Sequence, residues 1–192
     1  MKTYDTVSLV EKRALERSGR AAWYPPTEKI QVIEVPDFPG LGQLTALRFI
    51  EWLQKNPGGS ISLPTGKTPE HFIVWTNRYL SRWDQKDVAA ELADWGIDPA
   101  QKPDLRSHPF IQIDEFYPMD PAWENSFAFY IRHYYLEPLG LDPAKALLMD
   151  TWTLGAPAGK TLGAVFPDGL VDLSLRYRQP SGEREAAQIA AI

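Results

Sequence analysis

Two short polar sequences carry residue types suited to chemistry. The first is Leu63-Pro64-Thr65-Gly66-Lys67-Thr68-Pro69. Gly66 lets the backbone turn tightly and come close to a ligand, Thr65 and Thr68 add hydroxyls, and Lys67 adds a positive charge. The unpaired N–H groups of a helix beginning at Pro69 favour an anion, and phosphate is the natural guest. The spacing is not that of a Walker loop, G-x-x-x-x-G-K-[ST]. The competing reading is a turn in which Thr68 caps the helix and the hydroxyls satisfy nothing but the helix end. The second sequence is Ile111-Gln112-Ile113-Asp114-Glu115-Phe116. Adjacent carboxylates after an apolar run are costly to bury unless paired or used. Desolvation raises a carboxylate's proton affinity towards the range where it takes a proton from carbon near neutral pH. Two alternatives stand beside that one. Asp114 caps the following turn at a solvated strand end, or the two carboxylates hold a divalent metal, which is weakened by the lack of a nearby His at ligand spacing.

Other candidates carry less. His71, His108 and His133 are scattered, and no Ser–His–Asp set assembles around them. The series Phe127, Phe129, Tyr130, Tyr134 and Tyr135 has helical spacing and reads as core before it reads as a stacking platform. The charge balance is 20 basic against 25 acidic residues, net -5. It gives no overall attraction to nucleic acid or to an anionic membrane. With no cysteine, disulfides, zinc–thiolate sites, iron–sulfur clusters and cysteine nucleophiles are excluded. Charges scattered through the first twenty residues exclude a signal peptide. No window approaches the roughly 20 apolar residues of a membrane helix. A cytoplasmic setting is therefore expected, with no cofactor and no metal.

The elements that must position these residues follow from periodicity. A first helix is expected from Thr6 to Arg17, with Ser8 and Glu11 as a capping box and Gly19 as its stop. Lys29–Val35 alternates and reads as a strand. Leu41, Leu44, Leu47, Ile50 and Leu53 recur at helical spacing up to Asn56. Ser60–Leu63 is a short strand, followed by a helix with Thr68 as N-cap, Pro69 at its first position, and Phe72, Trp75, Tyr79 and Leu80 as its apolar stripe. Val88–Trp95 is a short helix ending at Gly96, Phe110–Ile113 a buried strand, Ser126–Leu136 an aromatic helix and Ala146–Met149 a further strand. Leu154 to Gly169 reads as loop, and Glu183–Ile192 as a helix start. Val171, Leu173 and Leu175 fit strand or helix. Strand–helix alternation implies an α/β fold with a largely parallel sheet, whose ligands bind at the carboxyl ends of strands. Both polar sequences then face one crevice.

At these two motifs the chain resembles the glucosamine-6-phosphate deaminase/isomerase family. Leu63 to Pro69 is similar to that family's L-P-T-G-[GS]-T-P loop, and Ile113-Asp114-Glu115-Phe116 looks like its M-D-E-Y segment. Downstream, Asn125-Ser126-Phe127 with Tyr130-Ile131 is similar to its S-Y-x-x-F-[MI] helix start, and Leu139-Gly140-Leu141 stands at the closing turn. The resemblance covers Ser60 to Leu141. It implies a modified Rossmann-like, three-layer α/β domain acting on an amino-sugar phosphate, with residues 1–28 as a helical lead and 29–192 as the sugar-phosphate domain. Thr65, Gly66, Lys67 and Thr68 fall at the sugar-phosphate loop. Asp114 falls at the base that moves a proton between C2 and C1, and hydrolysis of the resulting imine releases ammonia.

The departures shape the expectation. Lys67 replaces a small residue, and Phe127 replaces a tyrosine. The family's G-[GV]-x-G-x-D-G-H-I-A-F-N segment, which supplies the ring-opening histidine, is not in this sequence. The chain is therefore expected to be the N-terminal part of such a domain, incomplete at its C-terminus, with an incomplete catalytic set and apolar surface that promotes association. A homo-oligomer is compatible with that. Two further readings stand beside the enzyme: a non-catalytic sugar-phosphate sensor that kept the loop, and a 6-phosphogluconolactonase-like hydrolase, which Phe116 argues against because that family carries D-E-R there.

Overall fold

A computed structural model describes residues 4–18, 32–154, 156–165, 181–183 and 186. They fall in two compact units. The first takes the described residues of Met1–Ile111 and Arg132–Leu147, the second those of Gln112–Ile131 and Leu148–Ile192.

The first unit is built on helices. Helix α1 (Leu9–Arg17) starts at Ser8, whose Oγ accepts the Glu11 N–H as expected of a cap. The other half of the box is absent, because the Glu11 carboxylate accepts from Arg48 Nε at 2.6 Å instead. Helix α2 (Phe38–Lys55) opens on Asp37, which caps Gly40 N–H, and stops at Asn56. Its Leu47, Ile50 and Leu53 are buried as their spacing predicts, while Leu41 is 46% exposed. Helix α3 (Glu70–Ser81) buries Phe72, Ile73, Thr76, Tyr79 and Leu80 and packs most extensively on α2. Gly42 makes that approach possible, since a Cβ there would lie 2.4 Å from the Cβ of His71. Helix α4 (Lys86–Asp94) buries Val88 and Leu92.

A polar hub ties α2, α3 and α4 together. The Glu91 carboxylate accepts from Gln43 Nε2 (2.7 Å), the Tyr79 hydroxyl (2.7 Å) and Arg78 Nη1 (2.9 Å). Burial pushes the Tyr79 phenol up, and the adjacent Glu91 carboxylate adds to the shift. A second brace holds α1. Buried Glu51 accepts from Ser8 Oγ (2.5 Å), Leu9 N–H (2.7 Å) and Lys55 Nζ (3.1 Å).

The sheet is parallel but small. Strand β1 (Phe110–Ile111) pairs with β2 (Ala146–Leu147), Phe110 against Ala146, and a single parallel bridge joins Ile61 to Phe110. The described residues thus form a mixed helical architecture with a small parallel sheet, less than the three-layer, Rossmann-like sheet the sequence implied. The strands expected at Ser60–Leu63, Phe110–Ile113 and Ala146–Met149 are shortened for a legible reason. Prolines 64 and 109 flank the pairing segments and offer no N–H. In the second unit the Met149 N–H donates to the Gln112 side-chain Oε1 at 2.8 Å, a bond no ladder can then use. Residues 32–35 are not in a strand, and the rest of the Lys29–Val35 expectation lies outside the described residues, as do Val171, Leu173, Leu175, Gly19 and most of Glu183–Ile192.

The helix expected over Ser126–Leu136 is divided. Helix α5 (Phe127–Ile131) gives way to a π-helical turn (Arg132–Leu136) and then to the short α6 (Glu137–Leu139), where Pro138 has no N–H to continue the regular ladder. In the second unit Trp123 packs on Trp152 at 5.6 Å, the Tyr117–Pro118 peptide is cis, and α7 (Leu162–Val165) forms one turn inside the stretch read as loop.

Candidate functional site

The loop Pro64–Thr68 belongs to the first unit. Gly66 has φ +87°, a conformation that favours glycine, and the position a Cβ would take is open space. The Tyr135 hydroxyl, on the π-helical turn, donates to Pro64 O at 2.6 Å and pins the loop's entry. Tyr135 is itself buried, with its ring 5.9 Å from that of Phe110.

Thr68 is not the cap of α3. The position before Glu70 is Pro69 (φ -84°, ψ 7°), and no side chain caps the helix. Thr68 lies one residue too early, because a Lys67 O to Glu70 N–H turn (3.3 Å) precedes the first helical bond, Ile73 N–H to Pro69 O (2.9 Å). The competing reading of this loop, hydroxyls occupied by the helix end, is thereby removed. Among the described residues, the side chains of Thr65, Lys67 and Thr68 make no hydrogen bond or ion pair. Lys67 and Thr68 are exposed, and Thr65 is half-buried. Two hydroxyls and an ammonium thus stand uncommitted around a glycine turn at an uncapped helix start, an arrangement that receives an anion.

Asp114 and Glu115 belong to the second unit and have separate fates. Glu115 is half-buried and committed. One of its oxygens accepts from Phe116 N–H (3.0 Å) and Phe127 N–H (3.1 Å), the other from Ser126 Oγ (2.8 Å) and Ala128 N–H (2.9 Å). Burial pushes this carboxyl up, but the four donors outweigh it and hold the group below the usual carboxylate range. Glu115 therefore fixes the start of α5, a role the sequence reading missed. A carboxylate ahead of a Ser-started helix was its available signal. Asp114 is exposed, and its carboxylate has no partner among the described residues. Of the two adjacent carboxylates, Glu115 turns inward and Asp114 stands exposed. No group of three or more His, Asp and Glu is placed to hold a metal ion among the described residues.

The histidines are placed apart. His108 is buried, with Nδ1 2.8 Å from Gly59 O. His133 meets the Tyr134 ring edge-on. His71, in the first turn of α3, lines an open groove of about 450 Å³ between α2 and α3 that also takes in Pro64, Thr68 and Pro69. Sequence reasoning did not find this groove. No helix among the described residues is long and apolar enough to cross a membrane.

Comparison with known proteins adds little. No family model matches the sequence, and no curated protein matches it. Among solved structures, one described as a monomeric glucosamine-6-phosphate deaminase, "missing link of the NagB superfamily", superposes with a TM-score of 0.48 at 18% identity. The match covers 64% of this chain and 43% of that one.

Proposed function

We propose that this chain is a sugar-phosphate-binding domain of the glucosamine-6-phosphate deaminase/isomerase type. Thr65, Gly66, Lys67 and Thr68 hold the phosphate, and Asp114 acts as the proton-transfer base. The observation that carries the reading is the uncapped start of α3 beside three uncommitted side chains, Thr65, Lys67 and Thr68. Backbone N–H groups, hydroxyls and the ammonium would share the phosphate charge.

In this reading the Asp114 carboxylate takes the C2 proton of the open-chain aldose amine and returns it at C1. One amine proton passes through solvent to the C1 oxygen, so the C=O of C1 becomes CH2OH while C2 becomes an imine. Water adds to that imine and expels ammonia, leaving the ketose phosphate. Positioning the carbon chain against the carboxylate supplies the larger share of such a rate, and general base catalysis the remainder.

A second reading has one observation in its favour. Asp114 is exposed rather than enclosed, as a non-catalytic sugar-phosphate sensor would tolerate. Calorimetric titration with glucosamine 6-phosphate, together with an ammonia-release assay, separates the readings. Binding that Gly66→Val and Lys67→Ala abolish, with ammonia release that Asp114→Asn abolishes, supports the enzyme. The same binding without ammonia supports either the sensor or a deaminase-type domain whose catalytic set is incomplete, and affinity unchanged in both loop variants refutes the phosphate loop.

A further inference from the structure

The loop read above as the phosphate cradle opens onto a surface that a bare sugar does not match. Pro64, Thr68 and Pro69 form one wall of the groove of about 450 Å³, and α2 and the first turn of α3 form the others. That volume is in the range of small-molecule sites. The lining is mostly hydrocarbon and ring carbon, supplied by Leu41, Phe49, Trp52, Leu63 and Phe72. Phe49 and Phe72 meet edge to face at 5.5 Å, a packed floor rather than a loose one.

The polar groups along the groove are few, and some of them are spent. Thr45 donates its hydroxyl to Leu41 O at 2.8 Å within its own helix. Arg48 commits Nε to Glu11 and Nη2 to Thr6 O, while its buried Nη1 and the His71 ring make no hydrogen bond among the described residues. A sugar entering here would meet few hydrogen-bond partners for the water its hydroxyls give up. An alkyl or aryl group would cover apolar surface that now faces solvent, Leu41 at 46% exposed and Phe38 at 66%. The charge at the loop end points the same way along one ligand. Lys67 and the uncapped α3 start favour an anion beside Thr68, and the groove favours hydrocarbon beyond it.

We propose that this groove is an apolar subsite continuous with the phosphate loop. The chain then binds amphiphilic phosphate monoesters, which compete with the sugar phosphate for Thr65–Thr68. The inference rests on the loop's being a phosphate site, so its test must fail differently from that reading.

The test is calorimetric titration of the full chain with inorganic phosphate, butyl phosphate, octyl phosphate and the neutral octyl glucoside. If each methylene is half-buried, affinity rises about twofold per methylene, on the order of tenfold from butyl to octyl phosphate. Thr45→Trp, from an exposed position on α2, fills the groove and should erase that increment while inorganic phosphate binds as before. Leu41→Asp puts a charge at the groove mouth and should do the same, which guards against a misfolded tryptophan variant. Lys67→Ala should weaken all three phosphates by a similar factor. A flat series with inorganic phosphate still bound overturns the subsite and leaves the loop standing. Octyl glucoside binding as tightly as octyl phosphate overturns the coupling of groove to loop. No phosphate binding in any form overturns both readings.

Discussion

Gly42→Ala should destabilise the protein although alanine is the better helix former. Gly42 is buried in α2 where that helix crosses the start of α3. A Cβ at this position would lie 2.4 Å from His71 Cβ, 2.6 Å from His71 C and 2.7 Å from Phe72 N. Non-bonded carbons prefer about 3.5–4.0 Å, so the two helices must separate by roughly 1 Å at their contact. None of the three atoms can swing aside by a rotamer change. Replacing glycine in a helix gains about 1 kcal/mol, while overpacking of this kind costs about 1–3 kcal/mol. With fixed atoms the cost sits at the upper end, leaving a net loss of about 2 kcal/mol. For a chain of this size that corresponds to a fall in Tm of about 4–8 °C. Scanning calorimetry of Gly42→Ala beside wild type reads it directly. Thr45→Ala, exposed on the same helix, serves as the control and should stay within about 0.5 kcal/mol of wild type. An unchanged or higher Tm in Gly42→Ala would show that the helices do not meet as described, and the groove between them would fall with that contact.

Glu51→Gln should cost about 1–3 kcal/mol in urea unfolding, because it weakens three hydrogen bonds to a buried carboxylate; a change under 0.5 kcal/mol would refute the brace. Burial pushes the Glu51 carboxyl up, but Ser8, the Leu9 N–H and Lys55 together hold it below the usual range. Its contribution is therefore complete above the unfolded value of about 4.3 and is lost as pH falls through the lower folded value, so wild type should lose more stability in acid than Glu51→Gln. Glu115→Gln should lower stability by about 1–2 kcal/mol, with the same sign of pH dependence, and amide exchange at Phe127 and Ala128 should quicken; unchanged exchange there would count against the clamp. Tyr135→Phe removes the hydroxyl bonded to Pro64 O and should cost about 1 kcal/mol of stability while weakening phosphate binding. Full retention of phosphate affinity in that variant would separate the hydroxyl from the loop.

Local pattern made the long helices legible. Ser8 and the apolar spacing of Leu47, Ile50 and Leu53 place α1 and α2 without knowledge of anything distant. Expectations failed where a distant group or the exact helix start decided the outcome. Glu11 had a local cap partner in view, yet Arg48, 37 residues away, takes its carboxylate. Thr68 had the right type and spacing for a cap, but the turn from Lys67 to Glu70 moved the helix start beyond its reach. The strand positions were visible in the apolar runs, but their lengths were not. Length depends on which neighbours supply partners, and the Gln112 side chain takes the Met149 N–H. The groove was invisible for a similar reason. Its walls come from α2, Leu63–Pro64 and α3, and Leu41 reads as core until the packing leaves it in water.

The pair Asp114–Glu115 shows how local structure divides the labour of two like residues. Side by side in sequence, the residue types alone did not separate the two carboxylates, and the family resemblance put the base at Asp114. The choice follows from the start of α5. Four donors converge there from Phe116, Ser126, Phe127 and Ala128, and Glu115 satisfies them all. A carboxylate so occupied has its proton affinity lowered and its lone pairs filled, both of which disqualify it as a base at carbon. Glu115 turns inward, while Asp114 and Phe116 on either side of it are exposed. The proposed base thus owes its availability to the residue beside it. Glu115 acts as a positioning residue in that proposal, and the loss on changing it should fall on turnover and leave phosphate affinity intact.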